Sequence, residues 1–175
     1  MVLLNNISSE RITENSFLVM IEISKGSRKK YELDKETCLL KLDRILRTSF
    51  VYPSNYGFIP LTYCEDKDPL DVFVLSQEIL DPMVLVQCRP IGVIEIIDNG
   101  EIDNKIIAVP NFDSSMQNYQ DIKDVPFFLL EEIKHFLIHY KDLENKKVLI
   151  KKIEDKNKSL IIIKESLSKY KKLKK

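Results

Sequence analysis

The sequence predicts an α+β fold built on a small closed or partly closed antiparallel β-barrel. Strand-like segments separated by turn residues follow one another over the first two thirds of the chain. From Asp113 onward the apolar residues recur with a helical period instead. Strands first and helices later is an order typical of α+β proteins. Only four glycines occur and no linker is visible, so residues 1–175 are predicted to form a single domain.

Short apolar segments predict the first strands. Segment 17–23 (FLVMIEI) is rich in the branched and long apolar residues that favour a strand. Segments 28–33 and 39–42 predict two short strands, which a turn over 34–37 joins. Segment 71–76 (DVFVLS) predicts a further strand.

One long strand with a bend or bulge, or two strands, is predicted for segment 83–97, because Pro90 and Gly92 interrupt an otherwise apolar run. The DNGE segment 98–101 predicts a hairpin turn, since Asn-Gly favours positive φ. Segment 105–109 (KIIAV) is predicted to return as the partner strand.

The last third of the chain predicts a helix, a strand and a second helix. Segment 126–140 carries its apolar residues on one face at helical spacing. Segment 147–153 (KVLIKKI) predicts a short strand, and the apolar spacing over 157–173 predicts an amphipathic helix. The isoleucine run 161–163 is a poor helix former, so a strand is the alternative there.

Composition excludes a disordered or membrane-embedded chain. Hydrophobic residues make up 44% and charged residues 31% of the sequence, and no apolar run approaches the ~20 residues that span a bilayer. The N-terminal segment has neither a basic region nor a long apolar stretch, so we expect no signal peptide. Three scattered cysteines without a CxxC motif are typical of idle reduced thiols. Together these observations predict a cytoplasmic protein with no membrane partner.

The net charge of zero, from 27 basic and 27 acidic residues, hides a strong segregation. Residues 64–103 contain ten acids and two bases, a balance of −8. Residues 25–47 have a balance of +4, and residues 141–175 have +8. This arrangement suits a site where cations and a polyanion meet, and clustered solvated surface charge is the alternative interpretation.

Three carboxylates fall within six positions, at Asp66, Asp68 and Asp71, immediately before an apolar strand. Like charges this close are costly unless cations or shared protons offset them. Oxygen ligands without His or Cys favour a hard cation, Mg²⁺ or Mn²⁺, over zinc. A solvated acidic turn is the alternative for this segment alone.

Other chemically suited residues accompany this cluster. Asp98 and Asp103 flank the predicted hairpin turn and could face the same metals. Glu22 and Glu32 lie in upstream strands. Cationic and phenolic side chains that could contact phosphate are Lys30, Arg44, Lys105, Lys141, Tyr52, Tyr56 and Tyr140.

The segment DKDPLDV (66–72) resembles the signature of the family I soluble inorganic pyrophosphatases, Asp-small-Asp-Pro-hydrophobic-Asp-hydrophobic. Other family motifs are matched in the same order over roughly residues 16–145: KKYELD (29–34), Asp43-Arg44, YPSNYGFI (52–59), CRPIGV (88–93), Asp98-x4-Asp103-x-Lys105, DIKD (121–124) and HYKDLE (139–144). Lys67 departs from the signature. We expect its side chain to project to solvent, because the neighbouring aspartates are the family's ligands.

The resemblance implies a five-stranded OB-like barrel with extra strands and two flanking helices. It also implies the short bacterial-type subfamily, whose members assemble as hexamers of two stacked trimers.

The implied activity is hydrolysis of pyrophosphate to two phosphates by several Mg²⁺ ions, with Mn²⁺ as the alternative, and a metal-bridging water or hydroxide as nucleophile. Asp66, Asp71, Asp98 and Asp103 would hold the metals, and Asp68 would orient and deprotonate the water. Residues implied to bind the phosphates are Lys30, Arg44, Tyr56, Lys105, Tyr140 and Lys141, with support from Glu22, Glu32 and Tyr52.

Two other functions compete with this interpretation. A barrel that binds single-stranded nucleic acid needs exposed aromatic residues interleaved with bases, whereas acids occupy the corresponding segments here. We therefore expect no nucleic-acid partner. A two-metal phosphatase acting on nucleotides or polyphosphate is the second rival, and phosphate release from each substrate would separate the two.

Overall fold

The computed structural model describes residues 7–173, and its strands and helices follow the predicted order. Short 3₁₀ turns connect several of them. The elements are β1 (Phe17–Ile23), β2 (Lys29–Leu33), β3 (Leu40–Ile45), β4 (Asn55–Ile59), β5 (Leu70–Val74), β6 (Leu85–Asp98), β7 (Glu101–Pro110), α1 (Phe127–His139), β8 (Val148–Asp155) and α2 (Lys156–Leu173). The N-terminal segment 1–6, on which the expectation of no signal peptide depends, lies outside the described residues.

Five strands form a closed barrel. They are hydrogen-bonded in the order β1, β4, β5, β7 and β6, and β1 also pairs with β6 to complete the ring. Strand β8 extends the sheet beyond β6, while β2 and β3 form a separate two-stranded sheet. The α+β, OB-like class predicted from the sequence is therefore confirmed, including the five-stranded barrel and the extra strands.

One barrel pairing departs from the antiparallel prediction, because β5 and β7 run parallel. Their register sets Asp71 opposite Lys105, which brings two predicted site residues together. Strand β4 was missing from the sequence-based strand assignment. Its sequence NYGFI contains a glycine and follows Pro53-Ser54, so its pattern resembled a turn.

The predicted bend and the predicted turn of the long β6–β7 hairpin are both present. The register shifts between Pro90 and Gly92, as expected for a bulge. Asn99 and Gly100 adopt φ values of 52° and 88°, the left-handed conformation that a two-residue hairpin turn requires. This turn holds Asp98 and Asp103 at neighbouring strand ends.

Two hydrophobic clusters fix the helices against the barrel. Helix α1 contributes Ile133, Phe136 and Leu137 to one cluster, together with Phe73. Helix α2 contributes Ile162 and Ile163 to the other cluster, which includes the buried barrel residues Phe17, Leu18, Val72, Val93 and Ile106. Segment 161–163 is therefore helical, and the strand alternative for it is wrong. No helix within residues 7–173 is both long and apolar enough to cross a membrane.

Candidate active site

A cavity of about 830 Å³ lies where the barrel, the β2–β3 hairpin, and the residues at the ends of α1 and α2 meet. Thirteen of the fourteen predicted site residues line it: Glu22, Lys30, Glu32, Tyr52, Tyr56, Asp66, Asp68, Asp71, Asp98, Asp103, Lys105, Tyr140 and Lys141. Segments far apart in sequence thus converge on one site.

The floor of the cavity is a network of charged and phenolic groups around Asp71. The Tyr56 hydroxyl donates to Asp71 Oδ2 at 2.6 Å. The buried ammonium group of Lys105 bonds to the same carboxylate and lies 2.6 Å from Asp103 Oδ2. Burial alone would lower the pKa of Lys105, but the carboxylates of Asp71 and Asp103 raise it well above its usual value. Lys105 therefore supplies a positive charge that the carboxylates of Asp71 and Asp103 share.

The signature loop is held by its own hydrogen bonds. Asp66 Oδ1 accepts the backbone N–H of Asp68 at 3.0 Å, and the Cys64 N–H donates to the Asp68 carbonyl at 2.9 Å. Lys67, exposed at the tip, has φ of 69°, a left-handed conformation uncommon for a residue with a side chain. Its exposure agrees with the expectation that it projects to solvent, and Lys67 also lines the cavity beside the aspartates.

The residues that follow α1 add a second group of aromatic and charged side chains to the cavity. The helix ends at His139, so Tyr140 and Lys141 turn toward the barrel, and the Tyr140 ring stacks on Phe136 with centroids 4.9 Å apart. The buried Lys141 ammonium bonds to Asp98 Oδ2. The other carboxylate oxygen of Asp98, Oδ1, is buried and has no hydrogen-bond partner among residues 7–173.

The β2–β3 hairpin contributes a third group of charges. Lys30 bonds to Glu32 and lies 3.3 Å from Asp43 Oδ2. Arg44 is the one predicted residue that does not line the cavity. Its guanidinium instead pairs with Asp43 and, at 2.9 Å, with Glu144 Oε1. The Asp43–Arg44 motif identified Arg44 as a candidate site residue, whereas its partner Glu144 could not be assigned from spacing.

Glu22 and Tyr52 lie behind this surface. Burial, followed by the charge of Asp71, raises the pKa of Glu22 to about 8. Glu22 Oε1 also accepts the Leu33 N–H at 2.8 Å, which fastens the hairpin to β1. The buried Tyr52 packs against the Tyr56 ring with centroids 5.4 Å apart.

Several cavity residues were not identified from the sequence. Lys35 lies in the β2–β3 turn, and Thr62 and Tyr63 precede the signature loop. Tyr170 and Leu173 reach the cavity from the end of α2, a segment beyond the motif matches. No periodicity predicts such an approach, because it depends on how α2 packs.

The donor set fits a hard cation in composition, since six aspartates, including the four predicted metal ligands, line the cavity without His or Cys among the lining residues. The unpartnered Oδ1 of Asp98 is a ligand atom available to such a cation. Within residues 7–173, however, no three acidic, His or Cys groups have ligand spacing. Lys105 and Lys141 bond to the carboxylates in this state and supply the neutralising charge.

Comparison with known proteins gives one consistent result. The family model described as inorganic pyrophosphatase matches residues 19–171. A soluble inorganic pyrophosphatase of Solanum tuberosum is 51% identical over 154 residues, which cover 88% of this chain and 73% of that protein. One from Arabidopsis thaliana is 54% identical over 77% of this chain, and the alignment spans 62% of that relative's own length.

Solved structures agree with the sequence comparison. The Helicobacter pylori inorganic pyrophosphatase superposes with a TM-score of 0.90 at 38% identity, covering 95% of this chain and 99% of that one. The Thermus thermophilus structure of the same description gives 0.87 at 38% identity, with 90% and 92% coverage.

Proposed function

The chain belongs to the inorganic pyrophosphatase family and is an inorganic diphosphatase, and on this premise we propose how its cavity hydrolyses pyrophosphate. The observation that carries the proposal is the convergence of six aspartates and several lysines and tyrosines on one cavity. Pyrophosphate is a polyanion that repels a nucleophile, so its hydrolysis requires positive charge on both phosphates. The chain's own cations and the acidic cluster together meet that requirement.

Asp66, Asp71, Asp98 and Asp103 would hold Mg²⁺, with Mn²⁺ as the alternative ion. When bound, such ions supply positive charge beside the phosphates and the attacking water. The unpartnered Oδ1 of Asp98 supports this assignment. Lys105 and Lys141 bond to three of these carboxylates, and we expect both lysines to contact phosphate when pyrophosphate is bound.

Substrate binding falls to cations and hydroxyls on three sides of the cavity. Lys30 approaches from the hairpin, Lys105 from β7 and Lys141 from the segment after α1. Tyr56 and Tyr140 donate hydroxyl hydrogen bonds, and Arg44 acts from the rim of the hairpin. Contacts on both phosphates would fix the geometry in which water attacks.

Asp68 is the proposed general base. Its side chain is 61% exposed, so water reaches it directly. A water oxygen forms a bond to one phosphorus while its proton passes to Asp68, and the bond from that phosphorus to the bridging oxygen breaks. Each half leaves as phosphate, and solvent takes the proton from Asp68. Glu22, Glu32 and Tyr52 would support the binding side chains, Glu32 through its ion pair with Lys30.

One assay tests the function directly. Phosphate release from pyrophosphate is measured with and without Mg²⁺, and compared with release from ATP and tripolyphosphate. We expect Mg²⁺-dependent cleavage with pyrophosphate as the preferred substrate. Equal or faster cleavage of ATP or tripolyphosphate would favour the two-metal phosphatase alternative instead, and no cleavage of pyrophosphate would refute the proposal.

The role of Asp68 has its own test. Asp68→Asn removes the proton acceptor but keeps the side-chain size, and a general base contributes about 10²–10⁴-fold to a rate. Asp81→Asn, at an exposed position outside the cavity, is the matched control. Turnover close to that of the control would remove Asp68 from the base role.

Organisation and location complete the proposal. We propose that residues 1–175 form one pyrophosphatase domain in a cytoplasmic hexamer of two trimers, with no nucleic-acid partner. Support for assembly comes from large exposed apolar side chains, since Phe112 is 90%, Phe127 78% and Phe128 74% exposed. The three free cysteines agree with a reducing compartment. Light scattering after gel filtration tests the hexamer, and cell fractionation tests the cytoplasmic location.

A further inference from the structure

A lysine outside the matched ligand set contacts the proposed general base. Lys35, in the turn between β2 and β3, places its Nζ 2.5 Å from Asp68 Oδ1. The same ammonium group lies 3.3 Å from the carbonyl oxygen of Lys67, the neighbouring residue in the signature loop. Two acceptors on one loop therefore fix the direction from which Lys35 approaches Asp68.

Both ends of this contact are tight turns. On the Lys35 side, Asp34 Oδ1 accepts the N–H groups of Glu36 and Thr37 at 2.8 and 2.9 Å. The Cys38 N–H donates to the Asp34 carbonyl at 2.8 Å, which closes the turn. On the other side, the signature loop is closed by the hydrogen bonds of Asp66 and Cys64 already described. The contact thus joins two locally constrained backbones.

We propose that Lys35 is a positioning residue for Asp68, a role that rests on the proposed function of this site. Its ammonium group engages Oδ1 and thereby orients the carboxylate so that Oδ2 accepts the proton from the attacking water. Without this contact the half-exposed Asp68 side chain would sample several rotamers, and fewer of them would meet the water in line.

The contact between Lys35 and Asp68 also connects the β2–β3 hairpin to the barrel. Strands β2 and β3 form a sheet of their own, while the signature loop belongs to the barrel. Lys35 therefore joins the hairpin that carries Lys30 to the loop that carries Asp68. The lysine and aspartate side chains are 59% and 61% exposed, and exposed ion pairs contribute little to stability. We therefore expect the effect of Lys35 in catalysis rather than in folding.

Steady-state kinetics on pyrophosphate with saturating Mg²⁺ tests the inference. Lys35→Ala should lower kcat about tenfold with KM changed less than about twofold, because the substrate's own ligands remain. Lys35→Arg should restore most of kcat, since it retains a cation of similar reach. Lys29→Ala is the matched control, an exposed lysine of the same hairpin outside the cavity, and should keep both constants.

A double-mutant cycle distinguishes positioning from an independent role. If Lys35 acts through Asp68, adding Lys35→Ala to Asp68→Asn should leave the residual kcat unchanged. A further tenfold loss in the Asp68→Asn background would overturn the inference, and so would a Lys35→Ala protein whose KM rises while kcat is kept. An inactive wild-type protein would instead refute the proposed function itself. Melting temperatures of the Lys35 variants within about 2 °C of wild type exclude unfolding as the cause.

Discussion

Replacing Gly57 by alanine should destabilise the protein severely, because strands β1 and β4 pass too close for a side chain. A Cβ atom built on Gly57 would lie 1.9 Å from the Met20 carbonyl oxygen and 2.8 Å from its carbonyl carbon. Both are backbone atoms, so no rotamer change relieves the clash. Ordinary Cβ contacts begin at 3.4 Å, and β4 would have to withdraw until that separation is reached.

The size of the effect follows from the pairing that such a movement breaks. Met20 pairs with Phe58 and Ile21 with Gly57 in the β1–β4 ladder. Losing two ladder hydrogen bonds costs about 1 kcal/mol each, and overpacking strain adds about 1–3 kcal/mol. The expected loss of about 3–5 kcal/mol is a large part of the ~5–15 kcal/mol that stabilises a typical domain. Tyr56 precedes Gly57, so its 2.6 Å contact with Asp71 should weaken as well.

Urea unfolding followed by circular dichroism measures this loss, with thermal melts as a second probe. Gly26→Ala is the matched control, because Gly26 has φ of 83° but no atom within 4 Å of its Cβ position. That control should cost only the left-handed strain of about 1–2 kcal/mol and should retain activity. A Gly57→Ala protein as stable as Gly26→Ala would refute the close-packing argument.

Three further predictions concern the aspartates proposed to hold metal, the signature loop and a surface cap. Mg²⁺ at about 100 times its dissociation constant should stabilise the protein against thermal unfolding by about 2.7 kcal/mol. Asp71→Asn should abolish most of that gain. A wild-type melting temperature that Mg²⁺ leaves unchanged would contradict metal binding. Lys67→Asn should raise stability by about 0.5–1 kcal/mol in urea unfolding, because asparagine tolerates the left-handed φ of 69°; a loss would contradict the strain. Hydrogen bonds from Ser115 lower the pKa of Asp113, so its contribution is present above pH ~4 and lost as pH falls through the folded pKa. Asp113→Ala, which removes the cap, should cost up to about 1 kcal/mol at pH 7 and less in acid, and a difference that grows in acid would contradict this.

Local sequence patterns were sufficient for much of the fold. The Asn-Gly turn and the interruption at Pro90 fixed the β6–β7 hairpin, because each is a property of a few adjacent residues. Strand β4 was not assigned from the sequence because Gly57 weakens the strand pattern. The same glycine is required in the fold, because β1 passes close to it. The parallel β5–β7 pairing was also missed, since pairing direction depends on chain topology rather than on either strand's residues.

The cavity residues divide in the same way. Asp66, Asp68 and Asp71 are close in sequence, and the hairpin turn brings Asp98 near Asp103, so local geometry predicted their proximity. Lys35 shares no motif with Asp68, and Tyr170 reaches the cavity only because α2 packs on the barrel. Contacts of that kind arise from tertiary packing and leave no spacing to detect.

The segregation of charge along the chain acquires a physical explanation in the fold. The acidic middle segment supplies β5, β6 and the turn after β6, and the basic segments on either side supply the hairpin and the residues after α1. The fold brings these segments to one cavity, where Lys141 of the second basic segment bonds to Asp98. Lys105 of β7, which lies outside both basic segments, bonds to Asp71 and Asp103. Neither set of charges would be stable there alone, because buried like charges repel and unpaired ions are costly to desolvate. Two ammonium groups against three carboxylates leave a residual negative charge in the cavity, and under the proposed function a bound cation would neutralise it.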